Sequence, residues 1–199
     1  VTARLLRNRD ICTDEEIRSY LYGTLDSLPD PLLMKDLSPA VDLLLSAIQN
    51  KQRIRIVGDY DADGVCSITV LYRCLTALHA DVDWTIPDRI RDGYGLNMSF
   101  VEEAARDGIS LLLTCDNGIA ALDPIARAKE LGMTVIVTDH HELVEQEQDG
   151  ELRKVTPCAD AVVNPKQPDC AYPYKGMCGA GIAWMLTGVL LTRVQYPHI

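Results

Sequence analysis

From residue 53 onward, short apolar segments alternate with longer amphipathic ones, and three of the apolar segments run directly into acidic or imidazole side chains. Segments 54–58, 111–115 and 134–138 have the length and apolar content of buried strands. Strands that alternate with amphipathic helices predict an α/β fold with a doubly wound, mostly parallel sheet. The carboxyl ends of parallel strands share one edge of such a sheet, and ligands bind there. The polar residues that follow these strands are therefore expected to meet.

Those polar residues are of the types that bind metal ions. They are Asp59, Asp61 and Asp63 after the first strand, Asp116 after the second, and Asp139, His140 and His141 after the third. Carboxylates held close together raise one another's pKa, so they stay ionised together only beside a cation. A cluster of divalent ions is expected, and Asp116 can bridge two ions about 3.5 to 4 Å apart. Adjacent side chains of an extended segment point in opposite directions, so we expect only one histidine to bind a given ion.

The start of the chain is predicted to be helical. Thr13–Glu16 is a capping box, and Ser38–Pro39 predicts the first residues of a later helix. We therefore divide the chain into an N-terminal helical extension, residues 1–52, and an α/β domain, residues 53–199.

The remaining elements of the domain follow from periodicity and capping residues. Further strands are predicted over 82–86 and 160–164, helices over 65–80, from Ser99, from Asp123 and over 179–193, and an acidic surface excursion over 142–154.

Charge and cysteine content limit the surroundings and partners. The formal net charge of −10 argues against a broadly basic surface for nucleic acid, although a local channel remains compatible with it. The seven cysteines contain no C-x-x-C pair, which favours a reduced, cytoplasmic compartment. We expect no contact with a membrane, because the apolar runs are too short or too interrupted to span one and no signal peptide is evident.

Two glycine-containing segments are candidates for contacts to a substrate. Gly179 and Gly181 lie at a predicted helix start, where backbone N–H groups and the helix dipole favour a phosphate. Gly93 and Tyr94 follow Arg89 in a loop that could bring its guanidinium to a phosphate. Both patterns are also ordinary turn chemistry.

Two other site classes share part of the acidic pattern. Asp59-x-Asp61-x-Asp63-Gly64 matches the start of a calcium-binding loop, but the twelfth position is Val70 instead of Glu. An aspartyl-phosphate phosphatase would use Asp61 as nucleophile and Asp63 as acid and base. This alternative stays open, although it gives the two histidines no role.

Taken in order, five motifs resemble the DHH phosphoesterase family, and more narrowly its bacterial exonucleases specific for single-stranded DNA. They are Gly58-Asp59-Tyr60-Asp61-Ala62-Asp63-Gly64, Asp92-Gly93-Tyr94-Gly95-Leu96, Asp116-Asn117-Gly118-Ile119, Thr138-Asp139-His140-His141-Glu142 and Val163-Asn164-Pro165. The resemblance covers nearly the whole chain. It implies that residues 53–199 are a DHH catalytic domain that stops before the family's fourth metal-binding motif and lacks its DHHA1 domain.

The resemblance implies 5′→3′ hydrolysis of single-stranded DNA to mononucleotides in DNA repair and recombination, with two Mn²⁺ or Mg²⁺ ions. The implied ligands are Asp63, Asp116 and His140 for one ion, and Asp61 and Asp116, assisted by Asp59, for the other. His141 is then expected to face the scissile phosphate, with Asp139 orienting the imidazoles. Single-strand-binding protein or a helicase is an expected partner.

Two alternatives within the family remain. One is a phosphodiesterase for short oligonucleotides or small nucleotides, and the other is a scaffold that has lost its metals and its catalysis. Tyr60 in the first motif favours the DNA enzyme, and the metal-type side chains at all three strand ends argue against a scaffold. One departure is Val57, which stands where many DHH proteins have a histidine, so one ligand of the second ion would be replaced.

Overall fold

The computed structural model describes residues 2–91, 93–148 and 150–197. The chain divides into two compact units, residues 1–30 and residues 31–199.

The first unit is helical. It contains α1 (Thr2–Arg7), α2 (Asp14–Tyr22) and a 3-10 turn at Leu25–Ser27. The predicted capping box is confirmed, because Thr13 Oγ1 accepts a hydrogen bond from Glu16 N at 3.2 Å and Glu16 Oε2 accepts one from Thr13 N at 2.9 Å. This reciprocal pair fixes the start of α2.

The second unit is built on strands and five longer helices. The strands are β1 (Ile54–Val57), β2 (Val82–Thr85), β3 (Leu111–Cys115), β4 (Thr134–Thr138), β5 (Val144–Gln148), β6 (Glu151–Val155) and β7 (Ala161–Val163). The helices are α3 (Leu37–Gln49), α4 (Ala62–Ala77), α5 (Met98–Arg106), α6 (Leu122–Glu130) and α7 (Gly179–Arg193), after a 3-10 turn at Pro31–Leu33.

The predicted doubly wound parallel sheet is confirmed. Five strands lie in the order β2-β1-β3-β4-β7, and each neighbouring pair is parallel. Helices cover both faces: one apolar cluster joins the sheet to α3, α4 and α7, and the other joins it to α5 and α6. Because both faces are covered, β1 and β3 are buried along their whole length, as the apolar run of β3 predicts.

Helix α3 belongs to the unit that contains the sheet. Leu37 and Leu44 on its inner face are fully buried in the same cluster as β1 and α7. The boundary between the compact units therefore lies at residue 30, whereas the sequence division placed α3 in a helical extension of residues 1–52. The apolar stripe of α3 needs the sheet to cover it.

Several element boundaries differ from the sequence prediction. Helix α4 begins at Ala62, three residues early, because Asp61 caps it by accepting a hydrogen bond from Gly64 N at 2.9 Å. Helix α5 is capped by Asn97 and begins before the Ser99 box. The predicted surface excursion forms an antiparallel hairpin of β5 and β6. None of the described helices is long and apolar enough to cross a membrane.

Candidate metal centre

The residues after β1, β3 and β4 converge at the carboxyl edge of the sheet. The donor atoms fall into two sets, and within each set all the atoms lie within 4.8 Å of one another. One set is formed by Asp116, His140 and His141, and the other by Asp59, Asp61 and Asp116. Asp116 is common to both sets. The topology of the sheet brings these donors together from segments distant in sequence.

Asp116 occupies the middle of this centre. Its backbone is left-handed, with φ of 59°, a conformation that the Asp-Asn-Gly turn tolerates. Its side chain is buried, and Oδ1 lies 3.0 Å from Nε2 of His140 but accepts no hydrogen bond from any described residue. Burial, followed by the charges of Asp63 and Asp61, raises the pKa of Asp116 to about 8.

Asp63 is fixed by the start of α7. Its two oxygens accept hydrogen bonds from Gly179 N and Ala180 N, each at 2.7 Å, and Oδ2 lies 3.4 Å from Nε2 of His140. The sequence suggested that the backbone N–H groups at this helix start bind a phosphate. Those of Gly179 and Ala180 instead bind a carboxylate of the protein itself. Gly181 N contacts Cys178 Sγ at 3.4 Å, so the helix start is already occupied by internal acceptors.

Asp59 and Asp61 complete the acidic side of the centre. Asp59 is buried, its Oδ1 accepts no hydrogen bond from a described residue, and burial together with the charge of Asp61 raises its pKa. A side chain at Gly64 would place Cβ 2.4 Å from the Asp59 carbonyl oxygen. Glycine is therefore required for this turn to fold tightly enough to present both acids.

Asp139 organises the two histidines. Its Oδ1 lies 2.7 Å from Nδ1 of His141 and accepts hydrogen bonds from the backbone N–H groups of His140 and His141 at 2.7 and 3.1 Å, while Oδ2 accepts one from Ile119 N at 2.9 Å. Although burial opposes it, this hydrogen bonding lowers the pKa of Asp139. The hydrogen bond between His141 and the Asp139 carboxylate raises the pKa of His141. Burial and the neighbouring His141 lower the pKa of His140.

The two imidazoles face the same space. Their centroids are 4.5 Å apart with a tilt of 48°, so the expectation that His140 and His141 point in opposite directions is wrong. The reason is that β4 ends at Thr138, and the hydrogen bonds to Asp139 turn the next two residues out of the extended conformation.

The donor set fits a hard divalent cation. Oxygens dominate it, and the buried Oδ1 atoms of Asp59 and Asp116 have no hydrogen-bond donor among the described residues. Buried carboxylate oxygens without partners are costly, and a cation coordinated by oxygens and an imidazole would satisfy them.

Aromatic residues and one arginine border the centre. Tyr94 donates a hydrogen bond from its hydroxyl to the Asp116 carbonyl at 2.9 Å, and the hydroxyl lies 3.2 Å from Nδ1 of His141. The ring of Tyr60 meets that of Tyr94 edge-on at 6.5 Å, and the Arg89 guanidinium lies 5.4 Å from the Tyr60 centroid. Burial and the surrounding carboxylates raise the pKa of Tyr94, so its hydroxyl keeps its proton.

The loop between β2 and α5 carries Arg89 and Tyr94. Gly93, exposed and with φ of 78°, is part of the same loop, while Asp92 lies outside the described residues. The loop therefore brings Arg89 and Tyr94 to the centre, and Gly93 contributes the positive φ of the turn before Tyr94.

A model of a known protein family matches most of this chain. The model described as "DHH family, N-terminal domain" matches residues 53–197. The chain belongs to the DHH family. The match begins at the residue where the alternation of strands and helices begins in the sequence.

Individual members of the DHH family are also similar to this chain. The single-stranded-DNA-specific exonuclease RecJ of Bacillus subtilis is 42% identical over 191 residues, which cover 96% of this chain and 23% of that protein. RecJ of Haemophilus influenzae is 40% identical over 197 residues, which cover 98% of this chain and 32% of that protein. The chain spans about a quarter to a third of the length of these curated relatives.

Solved structures of DHH proteins agree with the fold. A crystal structure of exonuclease RecJ bound to manganese matches with a TM-score of 0.70 and 38% identity, covering 82% of this chain and 39% of that one. RecJ from Thermus thermophilus in complex with Mn²⁺ gives a TM-score of 0.70 and 34% identity, covering 96% of this chain and 25% of that one.

Two asparagines of this DHH domain were not singled out from the sequence. Asn117 and Asn164 are both fully buried at strand ends. Asn164 Nδ2 donates to the carbonyl of His141 at 3.0 Å, and Asn164 Oδ1 accepts from Lys166 N at 2.8 Å. Asn164 directly follows β7 and Asn117 comes two residues after β3. Both were quoted only as members of family motifs, and turn chemistry alone also explains an asparagine at such a position.

Proposed function

We propose that this DHH domain is the catalytic part of a metal-dependent exonuclease that hydrolyses single-stranded DNA in the 5′→3′ direction to mononucleotides, in DNA repair and recombination. The observation that carries the proposal is the shared position of Asp116, a buried carboxylate common to two donor sets. A bridging carboxylate is characteristic of two-metal phosphoryl-transfer sites. The similarity to proteins named single-stranded-DNA-specific exonuclease supports the same conclusion.

Mn²⁺ or Mg²⁺ is the proposed cofactor. Similar RecJ structures are described as bound to Mn²⁺ or Mg²⁺, and the oxygen-rich donor set suits both ions. Asp63, Asp116 and His140 would hold one ion, and Asp59, Asp61 and Asp116 the other. When bound, such ions supply Lewis-acid polarisation of a phosphate and a more acidic water.

His141 is proposed to stabilise the negative charge that develops on the phosphoryl oxygens. Because Asp139 raises the pKa of His141, the imidazole carries a proton over a wider pH range and presents positive charge to the phosphate. Asp139, almost fully buried, would fix the orientation of the ring through Nδ1.

Arg89, Tyr60 and Tyr94 are proposed to favour a single strand. An exposed tyrosine and a guanidinium stacked on a second ring offer planar surfaces to unpaired bases, which paired bases in a duplex cannot use. Arg89 can also contact a phosphate, as can the loop at Gly93. Single-strand-binding protein or a helicase is the proposed protein partner, and the cytoplasm is the proposed location.

The proposal is tested with oligothymidylate labelled at the 5′ end or the 3′ end, incubated with the chain and Mn²⁺. We expect labelled mononucleotide to appear first from the 5′-labelled strand, no cleavage of a blunt duplex, and no cleavage by Asp116→Asn. Cleavage of dinucleotides alone would instead support the small-nucleotide alternative. Release of inorganic phosphate through a labelled phosphoenzyme that needs Asp61 but not His140 would support the aspartyl-phosphatase alternative. Absence of all three activities despite tight Mn²⁺ binding would support the scaffold.

A further inference from the structure

The last part of the loop between β2 and α5, residues 93–97, is attached beside the candidate metal centre at two neighbouring points. One is the hydrogen bond from the Tyr94 hydroxyl to the Asp116 carbonyl. The other is a hydrogen bond from Leu96 N to Oδ1 of Asn117 at 3.2 Å. Gly95 lies between them with φ of 68°, and a Cβ there would approach Cβ of Asn117 to 3.2 Å. The loop therefore rests directly on Asn117.

Asn117 is also bonded to the ends of two strands. Its Nδ2 donates to the Val57 carbonyl, at the end of β1, at 3.0 Å and to the Cys115 carbonyl, at the end of β3, at 2.9 Å. The side chain is fully buried, so these bonds are shielded from solvent. One amide thus joins the strand that leads to the first acidic motif, the strand that leads to Asp116, and the loop.

We propose that Asn117 is a positioning residue that fixes residues 93–97 of this loop relative to the candidate metal centre, and so sets how Tyr94 meets the substrate. Only an amide offers two N–H donors and an oxygen acceptor in one plane, which is the set that two strand carbonyls and one loop N–H require. The ligand part of this inference rests on the proposed function. The attachment of the loop does not.

If Asn117 positions the loop and does not bind metal, its loss should affect Mn²⁺ binding and oligonucleotide binding differently. The side chain of Asn117 contacts none of the candidate metal ligands but is bonded to the ends of the strands that lead to them, so its loss should weaken Mn²⁺ binding less than it weakens oligonucleotide binding. The affinity for an oligonucleotide that must contact Tyr94 should fall, because residues 93–97 lose their buried anchor. A buried donor or acceptor left without a partner costs enough to shift a local equilibrium by about tenfold.

Two variants test the contact between Asn117 and the loop, one by changing Asn117 and the other by changing the loop. Asn117→Leu removes the amide, and Gln167→Met is its matched control, because Gln167 is also buried and donates to a strand carbonyl, that of Val162, away from the loop. Gly95→Ala crowds the loop against Asn117, because its Cβ would lie 3.2 Å from Cβ of Asn117 at a φ of 68°, and it leaves the strand bonds intact. Gly108→Ala is its control, since Gly108 has a φ of 72° and open space around its Cβ position.

Amide hydrogen exchange of residues 93–96 is the readout that does not depend on activity. We expect exchange about tenfold faster or more in Asn117→Leu and Gly95→Ala and little change in the two controls. In Gly95→Ala, which keeps the strand bonds, the Kd for Mn²⁺ should stay within about twofold of the parent. Unchanged exchange at 93–96 in both test variants would overturn the inference, as would equal acceleration in the controls. If Asn117→Leu fails to fold, Gly95→Ala alone decides.

Binding of a 5′-phosphorylated phosphorothioate oligothymidylate then tests the ligand part. We expect about tenfold weaker binding in both test variants, and for hydrolysis of the ordinary oligonucleotide a raised KM with kcat changed much less. Equal losses in kcat and in Mn²⁺ affinity would show a purely structural role and reject positioning. If the parent chain binds no oligonucleotide, the proposed function fails, while loop exchange still decides whether Asn117 anchors the loop.

Discussion

The carboxylate of Asp63 is held by the backbone N–H groups that open helix α7, with Gly179 N 2.7 Å from its Oδ2. The helix dipole adds favourable charge at this point. The same glycine lies against Asp116, because a Cβ at position 179 would come within 2.8 Å of Cβ and Oδ1 of Asp116. One glycine therefore spaces two acids that belong to different strand ends.

Gly179→Ala should disrupt the centre through this contact. The added methyl group must displace Asp116 or the start of α7, and Asp116 is too buried to move freely. We expect affinity for Mn²⁺ to fall by about tenfold or more, measured by calorimetric titration. Gly188→Ala in the same helix is the control, since nothing lies within 4 Å of its Cβ position and the change should raise the free energy of unfolding by about 0.5 to 1 kcal/mol. Equal Mn²⁺ affinity in the parent and Gly179→Ala would contradict the crowding argument.

Asp116→Asn and His140→Ala should differ in how many ions they lose. Asp116 belongs to both donor sets. Asp116→Asn should therefore bind neither ion at the Mn²⁺ concentrations at which the parent binds both. His140 lies beside Asp63 and Asp116 and is not in the donor set of Asp59 and Asp61, so His140→Ala should keep the ion at Asp59 and Asp61. Calorimetric stoichiometry with Mn²⁺ separates these outcomes. Parent-like Mn²⁺ affinity in Asp116→Asn would show that Asp116 is not the bridge.

The pKa of Asp116 predicts the pH dependence of the metal-free chain. Burial and the charges of Asp63 and Asp61 raise it to about 8, against about 3.9 in an unfolded chain. The folded state therefore holds this proton more tightly. Its contribution to the free energy of unfolding is complete below about pH 4 and is lost as the pH rises through about 8.

Thermal unfolding in the presence of EDTA measures this contribution. We expect the Tm of the parent to fall between about pH 5.5 and about pH 8.5 more steeply than the Tm of Asp116→Asn. Mn²⁺ affinity should rise over the same interval, because binding the ion displaces the proton. Parallel Tm curves for the two chains would assign the pH dependence to other groups.

Arg55 is a buried arginine in β1, outside the candidate metal centre, and its ion pairs give a prediction about stability. Arg55 makes two hydrogen bonds of 2.8 Å to Asp83 and one of 2.9 Å to Asp107, and its side chain is 9% exposed whereas theirs are 38% and 43% exposed. Arg55→Met leaves two acids that can reach water, and should cost about 1 to 2 kcal/mol. The double variant Asp83→Ala, Asp107→Ala leaves a buried charge with its main partners removed, and should cost about 3 to 5 kcal/mol.

Urea unfolding of these two variants supplies the comparison. Glu102→Ala, which breaks a pair between half-exposed side chains at Arg127, is the control and should cost no more than about 1 kcal/mol. If Arg55→Met proved more destabilising than the double variant, packing of the arginine stem rather than its charge would dominate.

The sheet and its polar edge were readable from the sequence because both follow from local patterns. Runs such as 111–115 are largely apolar, and the acids that follow them stand outside that pattern. The bounds of α7 also followed from the glycine that leads it. Convergence of the strand ends then needed only the rule that parallel strands share an edge.

What the sequence could not give depends on contacts between distant segments. The amides at Gly179 were expected to meet a phosphate, but they bind Asp63, 116 residues earlier. The rings of His140 and His141 were expected to diverge, and the side chain of Asp139 turns them together. The β5–β6 hairpin is rich in charge on both strands, so no hydrophobic period marks it.

The hairpin leaves the sheet after β4 and returns to it at β7, and these two ends are close. Thr138 and Val163 are paired in the sheet, and the bond from Asn164 to the His141 carbonyl closes the base. Lengthening a closed loop costs little, so the turn between β5 and β6 is a permissive point in the chain. Residues inserted between the two strands would lengthen the hairpin, while the paired ends keep β4 and β7 in register.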